Sequence, residues 1–92
     1  MNTPQEQVLD EAILRILDAH DSSFGLSAEA VALMVLRFGQ HVRAEEVARR
    51  LRYLSDSEIG FVAGIEPATQ FHAYLATWRI TARGENHIRG AA

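Results

Sequence analysis

The stretch HVRAEEVARRLRYLSDSEIGFV, residues 41–62, predicts a helix that leads directly into a β-strand. Val47, Leu51 and Leu54 recur at i, i+4 and i+7, so they share one face of a helix over about residues 43–56. Charged residues, most of them arginines, occupy the rest of the circumference. The Ile-Gly-Phe-Val that follows is rich in β-branched and aromatic residues, which favour a strand. We therefore expect a helix with an apolar seam and an arginine-rich outer face, followed by a hairpin.

The rest of the chain predicts a mainly α fold with a small antiparallel β-hairpin (α+β), in one domain over residues 1–92. Thr3, Ser27 and Thr81 are the expected helix N-caps, because their hydroxyl oxygens accept hydrogen bonds from first-turn N–H groups. The predicted elements are helix 1 over about residues 4–19, a short extended segment at 24–26, helix 2 over about 28–38, helix 3 over about 43–56, a hairpin over about 59–80 and a short C-terminal helix over about 82–89.

The hairpin is predicted to turn at Glu66–Gln70, which contains a proline, and to return over residues 71–80. Alternation along the returning strand puts Trp78 and Ile80 on the same face. We expect that face to point towards the helices, because these two side chains form the largest apolar pair in this part of the chain.

Helix 2 has almost no polar face between Ala30 and Leu36. A helix that is apolar all round is either enclosed or shared with a partner, and a chain of 92 residues has a modest core. Two interpretations stay open. Helix 1 covers the apolar side, or Leu33 and Leu36 face a second subunit in a homodimer.

Charge is unevenly spread along the chain, although the net charge is only −3. Residues 1–38 hold six acids and two arginines, a sum of −4, whereas residues 39–92 hold six acids and seven arginines, a sum of +1. The positive potential is therefore concentrated around helix 3, and a local patch matters more than net charge for binding phosphates.

Composition argues against several other classes of function. The chain has no cysteine, no basic and apolar leader and no apolar run approaching the ~20 residues of a membrane span, so a cytoplasmic protein without membrane contact is expected. The four histidines lie in separate elements without the spacing of a metal site. No nucleophile–base arrangement or glycine-rich phosphate loop is recognisable, so we expect neither an enzyme nor a cofactor.

Two segments resemble the winged helix-turn-helix family of small bacterial and prophage regulators. LRYLSDSEIGFV, residues 51–62, is similar to the junction between recognition helix and wing, and WRITARG, residues 78–84, to the segment that closes the wing. The resemblance covers about residues 5–88 and implies the order α1-(β1)-α2-α3-β2-β3-short α4. It also implies a homodimeric transcriptional regulator that binds double-stranded DNA through helix 3. The predicted wing tip departs from the pattern, because it carries no Lys or Arg.

Arginines and two turn residues make up the candidate DNA-binding set. Helix 3 of such a protein enters the major groove, where arginine can bond guanine or a phosphate. The candidates are Arg49, Arg50 and Arg52 for the groove, Gln40, His41 and Arg43 in the preceding turn for phosphates, and Arg79 and Arg83 at the base of the wing.

The same helix face has two other interpretations. Glu45–Arg49 and Glu46–Arg50 are i,i+4 pairs, so the face could be a solvated, ion-paired surface. Alternatively, the protein is a winged-helix module that binds other proteins and not DNA. The net charge of −3, the two glutamates and the absence of Lys and Arg from the wing tip favour that alternative.

Overall fold

The computed structural model describes residues 3–20, 24–65 and 76–90. The elements in chain order are α1 (Pro4–Ala19), β1 (Leu26–Ser27), α2 (Ala28–Arg37), α3 (Ala44–Leu54), β2 (Val62–Ile65), β3 (Thr77–Ile80) and α4 (Ala82–Arg89). This order confirms the mainly α, α+β fold class and is compatible with a winged helix. The predicted turn at Glu66–Gln70 and the predicted strand over 71–75 lie outside the described residues.

Hydroxyl caps begin three of the four helices, as the sequence predicts. The Thr3 side chain accepts a hydrogen bond from the N–H of Glu6, and the Glu6 carboxylate accepts one from the N–H of Thr3, each at 3.1 Å. Ser27 and Thr81 cap α2 and α4 in the same way, by bonding the third residue of each helix. These bonds satisfy N–H groups that have no partner within a helix.

Helix α3 ends earlier, and strand β2 begins later, than the sequence predicts. The helix stops at Leu54 and not near residue 56, and Ile59 and Gly60 belong to a turn, not to the strand. Both of their N–H groups donate to the carbonyl of Asp56, and Gly60 has a φ of 64°, a left-handed value that glycine adopts without strain. The strand therefore starts only at Val62.

The three strands form one antiparallel sheet in the order β1-β3-β2. Val62 pairs with Ile80 in the predicted hairpin, and Leu26 pairs with Trp78, so the short segment before α2 adds a third strand. The predicted inward face is confirmed: Ile80 is buried, and Trp78 packs partly buried against the core.

Gly84, in the first turn of α4, lies where there is no space for a larger residue. A Cβ at this position would collide with the Phe61 carbonyl oxygen and crowd the Ile80 side chain. The first turn of α4 can therefore lie directly on the backbone that leads into β2.

The core forms where α1 packs on α2, α3 and β3. The predicted seam of α3 is confirmed, since Val47, Leu51 and Leu54 are all buried. Ile13, Leu14 and Leu17 from α1 and Val31 and Val35 from α2 are also among the largest fully buried side chains of the described residues.

A buried ion-pair network joins α1 to α3 within this core. Arg50 donates from Nε and Nη2 to the two carboxylate oxygens of Asp10, at 2.8 and 2.6 Å, and from Nη1 to Glu6 Oε2 at 2.8 Å. Its guanidinium carbon also lies 4.4 Å from the centre of the Tyr53 ring. The hydrogen bonds to Asp10 raise the pKa of Arg50, with the charges of Asp10 and Glu6 acting in the same direction. The network is bidentate and buried, unlike an exposed surface pair.

Replacing Arg50 with methionine is expected to cost about 3–5 kcal/mol of unfolding free energy, because the buried Asp10 carboxylate would lose its partner. The double variant Arg50→Met/Asp10→Leu should recover much of that loss, since a buried ion pair can be exchanged for apolar residues of similar size. Urea unfolding measures both. Arg15→Ala is the matched control: it breaks an exposed pair with Glu11 and should cost below about 1 kcal/mol. A loss at Arg50 no larger than at Arg15 would contradict the buried network.

The ionisation of Glu6 makes the stability of the folded chain depend on pH in a known direction. Hydrogen bonds from the backbone and then the side chain of Thr3, together with the charges of Arg50 and Arg49, lower the pKa of Glu6. The folded state therefore prefers the ionised carboxylate. The stability that this provides is present above the ordinary pKa of 4.5 and is lost as the pH falls through the lower folded value.

Glu6→Gln should consequently lose less unfolding free energy than the wild type between about pH 6 and pH 3, because glutamine keeps the capping bond but cannot titrate. Glu11→Gln removes an exposed carboxylate of the same helix that does not contact Arg50, and serves as the control. The measurement is urea unfolding across this pH range. Equal losses in the wild type and Glu6→Gln would refute the assignment.

Candidate nucleic-acid interface

The outer face of α3 presents three arginines and two glutamates around one shallow depression. Its lining residues are Arg43, Glu45, Glu46, Arg49 and Arg52, all of them exposed. Their formal charges sum to +1, so the face is mildly cationic in a protein whose net charge is −3. We call this set of five residues the α3 face.

The ion pairing of the α3 face differs from the predicted i,i+4 ladder. Arg49 contacts Glu46 at 3.4 Å, an i,i+3 pair in which the Arg49 side chain stays 69% exposed. A pair so exposed contributes little free energy, so the guanidinium can exchange partners at small cost. Arg43 and Arg52 have no ion-pair partner among residues 3–20, 24–65 and 76–90.

Arg50 is the one candidate whose side chain is buried. The expectation that it lies on the outer face, paired with Glu46, is wrong, because it is only 6% exposed and bonds Asp10 and Glu6 of α1. The physical reason is its position on the helix: residues 47, 50, 51 and 54 follow i, i+3, i+4 and i+7, so residue 50 falls on the buried face.

Asp10 and Glu6 are ion-pair partners of Arg50 that the sequence did not predict. The signal for Asp10 is the same kind of spacing, since it lies three residues before Ile13 and four before Leu14, both in the core. An acidic residue on the buried face of α1 and a basic one on the buried face of α3 together indicate a buried pair.

The remaining candidates do not line the depression of the α3 face. His41 is exposed and Gln40 half-buried in the turn before α3, where Gln40 donates its backbone N–H to Val35. Arg79 is exposed on β3, where it pairs with Ala63 of β2, and it is not without an interaction partner.

Arg83 belongs to another surface. Its Nη1 donates to the Ile59 carbonyl at 3.2 Å, and its side chain borders a separate groove of about 680 Å³ together with Asp10, Tyr53 and His87. The structure therefore brings together Arg43, Arg49 and Arg52 and leaves Arg83 beside the turn that precedes β2.

Two general properties of the described residues bear on the class of protein. None of the helices in the described part of the chain is both long and apolar enough to cross a membrane. Among the same residues, no three His, Asp or Glu side chains are grouped so that they could hold a metal ion.

Comparisons of the chain with models of protein families, with curated proteins and with solved structures found no significant match. Function is therefore inferred from the fold and from the chemistry of the α3 face.

Proposed function

We propose that the chain is a winged-helix regulator of transcription that binds double-stranded DNA through the α3 face. The observation that carries the proposal is the exposed cluster of Arg43, Arg49 and Arg52 on the outer side of the second helix of an α2–turn–α3 unit. In a helix-turn-helix, that side of the second helix is the part that enters the major groove.

The three arginines differ in what they can do at a duplex. Arg49 and Arg52 are one helical turn apart on α3, so both can reach base edges or phosphates along the groove. Arg43 is the N-cap residue of α3, and no N-cap side chain bonds the first-turn N–H groups beside it, a position suited to a phosphate. His41 and Arg79 extend the same interaction to flanking phosphates, in keeping with their exposure.

Glu45 and Glu46 limit how strongly the α3 face can bind any duplex. They lie in the first turn of α3, where the positive end of the helix dipole stabilises their negative charge. The same charge repels phosphates. A local charge of +1 supports only weak binding to DNA of random sequence, so the proposal is of a salt-sensitive binder that depends on a few arginines.

The second candidate function is protein recognition by the same fold. The two exposed glutamates on the α3 face favour it, because a basic partner would contact them where DNA would be repelled. The two functions make opposite predictions for variants of Glu45 and Glu46.

Duplex binding measured by fluorescence anisotropy at low salt should weaken steeply as salt is added. Each arginine–phosphate contact contributes about 0.9 to the slope of log affinity against log salt. Arg49→Ala and Arg52→Ala should each weaken binding, and where the lost contact is to a phosphate they should lower the slope by about that amount.

Arg15→Ala is the control for these variants, since it removes the same charge from α1, away from the α3 face. Binding that is equally affected by Arg15→Ala and by Arg49→Ala would mean that only net charge matters. A wild-type protein that fails to bind the duplex even at low salt would overturn the proposal.

The double variant Glu45→Gln/Glu46→Gln should bind the duplex several-fold more tightly than the wild type. It removes two negative charges from the α3 face and releases Arg49 from its contact with Glu46. The same anisotropy titration measures the change. Unchanged or weaker binding would favour the protein-recognition function.

A further inference from the structure

The exposed side of α2 carries an acid, two leucines and an arginine in one row. Glu29, Leu33 and Arg37 follow at i, i+4 and i+8, and Leu36 lies beside them; all four are exposed. Leu33 is 68% exposed and Leu36 44%. The opposite side of the same helix is fully buried, so the row points away from the core. We call these four residues the α2 row.

The leucines of the α2 row border a groove of about 560 Å³ between α2 and the start of α3. Ala32, Val42 and Ala44 complete its apolar lining. A large apolar side chain from a partner would be covered in this groove by α2 on one side and by the start of α3 on the other. Leucines that border such a groove are typical of a contact surface, whereas single exposed leucines are not.

The charges of the α2 row are symmetric about Leu33. Glu29 lies four residues before it and Arg37 four residues after it, about 6 Å in each direction along the helix. Neither residue has an ion-pair partner within the described part of the chain. A second α2 placed antiparallel across a two-fold axis at Leu33 would set Glu29 of each copy against Arg37 of the other. A parallel arrangement would set like charges together.

We propose that the chain self-associates as a two-fold symmetric dimer through antiparallel packing of the α2 row. Leu33 and Leu36 of each copy fill the groove of the other, and two Glu29–Arg37 pairs flank them. Such an interface is isologous, because the same surface of both copies takes part in it. The α2 row contains both members of the Glu29–Arg37 pair, so a second copy of the chain is a sufficient partner. The proposal does not require Arg49 or Arg52 of the α3 face, so its test in the absence of DNA is separate from the test of DNA binding.

Sedimentation of the full chain without DNA tests the dimer by charge reversal. The wild-type mass should rise with concentration towards twice the chain mass of 10.2 kDa. Glu29→Arg and Arg37→Glu should each weaken association by about tenfold or more, because each turns two attractive pairs into repulsive ones. The double variant Glu29→Arg/Arg37→Glu should associate again.

A mixture of the two single variants tests the Glu29–Arg37 pairing most directly. One then carries two arginines at these positions and the other two glutamates, so they should form a heterodimer although neither self-associates well. Recovery in the mixture also separates a lost interface from a folding defect, since both chains keep their substitutions. Glu45→Arg, which makes the same charge change on the α3 face, is the control and should leave association unchanged.

Three results would overturn the proposal. The first is a wild-type chain that stays monomeric at high micromolar concentration. The second is a dimer that withstands both single charge reversals, because its interface would then lie elsewhere. The third is an equal weakening by Glu45→Arg and Glu29→Arg, which would show that only net charge governs association.

Discussion

The ion pair between Arg50 and Asp10 is the constraint on which the surface of α3 depends. Arg50 bonds both carboxylate oxygens of Asp10 and also reaches Glu6, whose carboxylate accepts the N–H of Thr3, the N-cap residue of α1. A guanidinium held in this bidentate way fixes the rotation of α3 about its own axis relative to α1. Because that rotation is fixed, Arg49 and Arg52 are turned outward on the α3 face.

The pair also shows where reasoning from the sequence succeeds and where it stops. Apolar spacing and hydroxyl caps predict the four helices, since each signal acts within a few residues of the chain. The Arg50–Asp10 contact joins residues 40 positions apart, and local charge spacing offers Arg50 a competing partner in Glu46. The apolar periodicity did contain the answer, because residue 50 falls on the buried face of α3.

The ends of α3 and β2 illustrate a second limit. Ile59 and Phe61 have side chains that favour a strand, and residues 59–62 read as continuous β structure. The left-handed Gly60 and the two N–H groups that share the Asp56 carbonyl hold the first part of this segment in a turn. Of the candidate site, the sequence identified the three arginines that the α3 face exposes. Only the apolar spacing of α3 separates them from the buried Arg50.

The α3 face and the α2 row meet at the turn between the two helices. His41 and Arg43 border the apolar groove of α2, and Arg43 also belongs to the α3 face. A partner bound to either surface would therefore alter the surroundings of Arg43. Amide NMR during titration with a random-sequence duplex at low salt tests DNA binding by the α3 face most directly. We expect salt-reversible shifts concentrated at residues 43–52, with little change along the exposed side of α1. A spectrum in which residues 43–52 do not move would contradict this expectation.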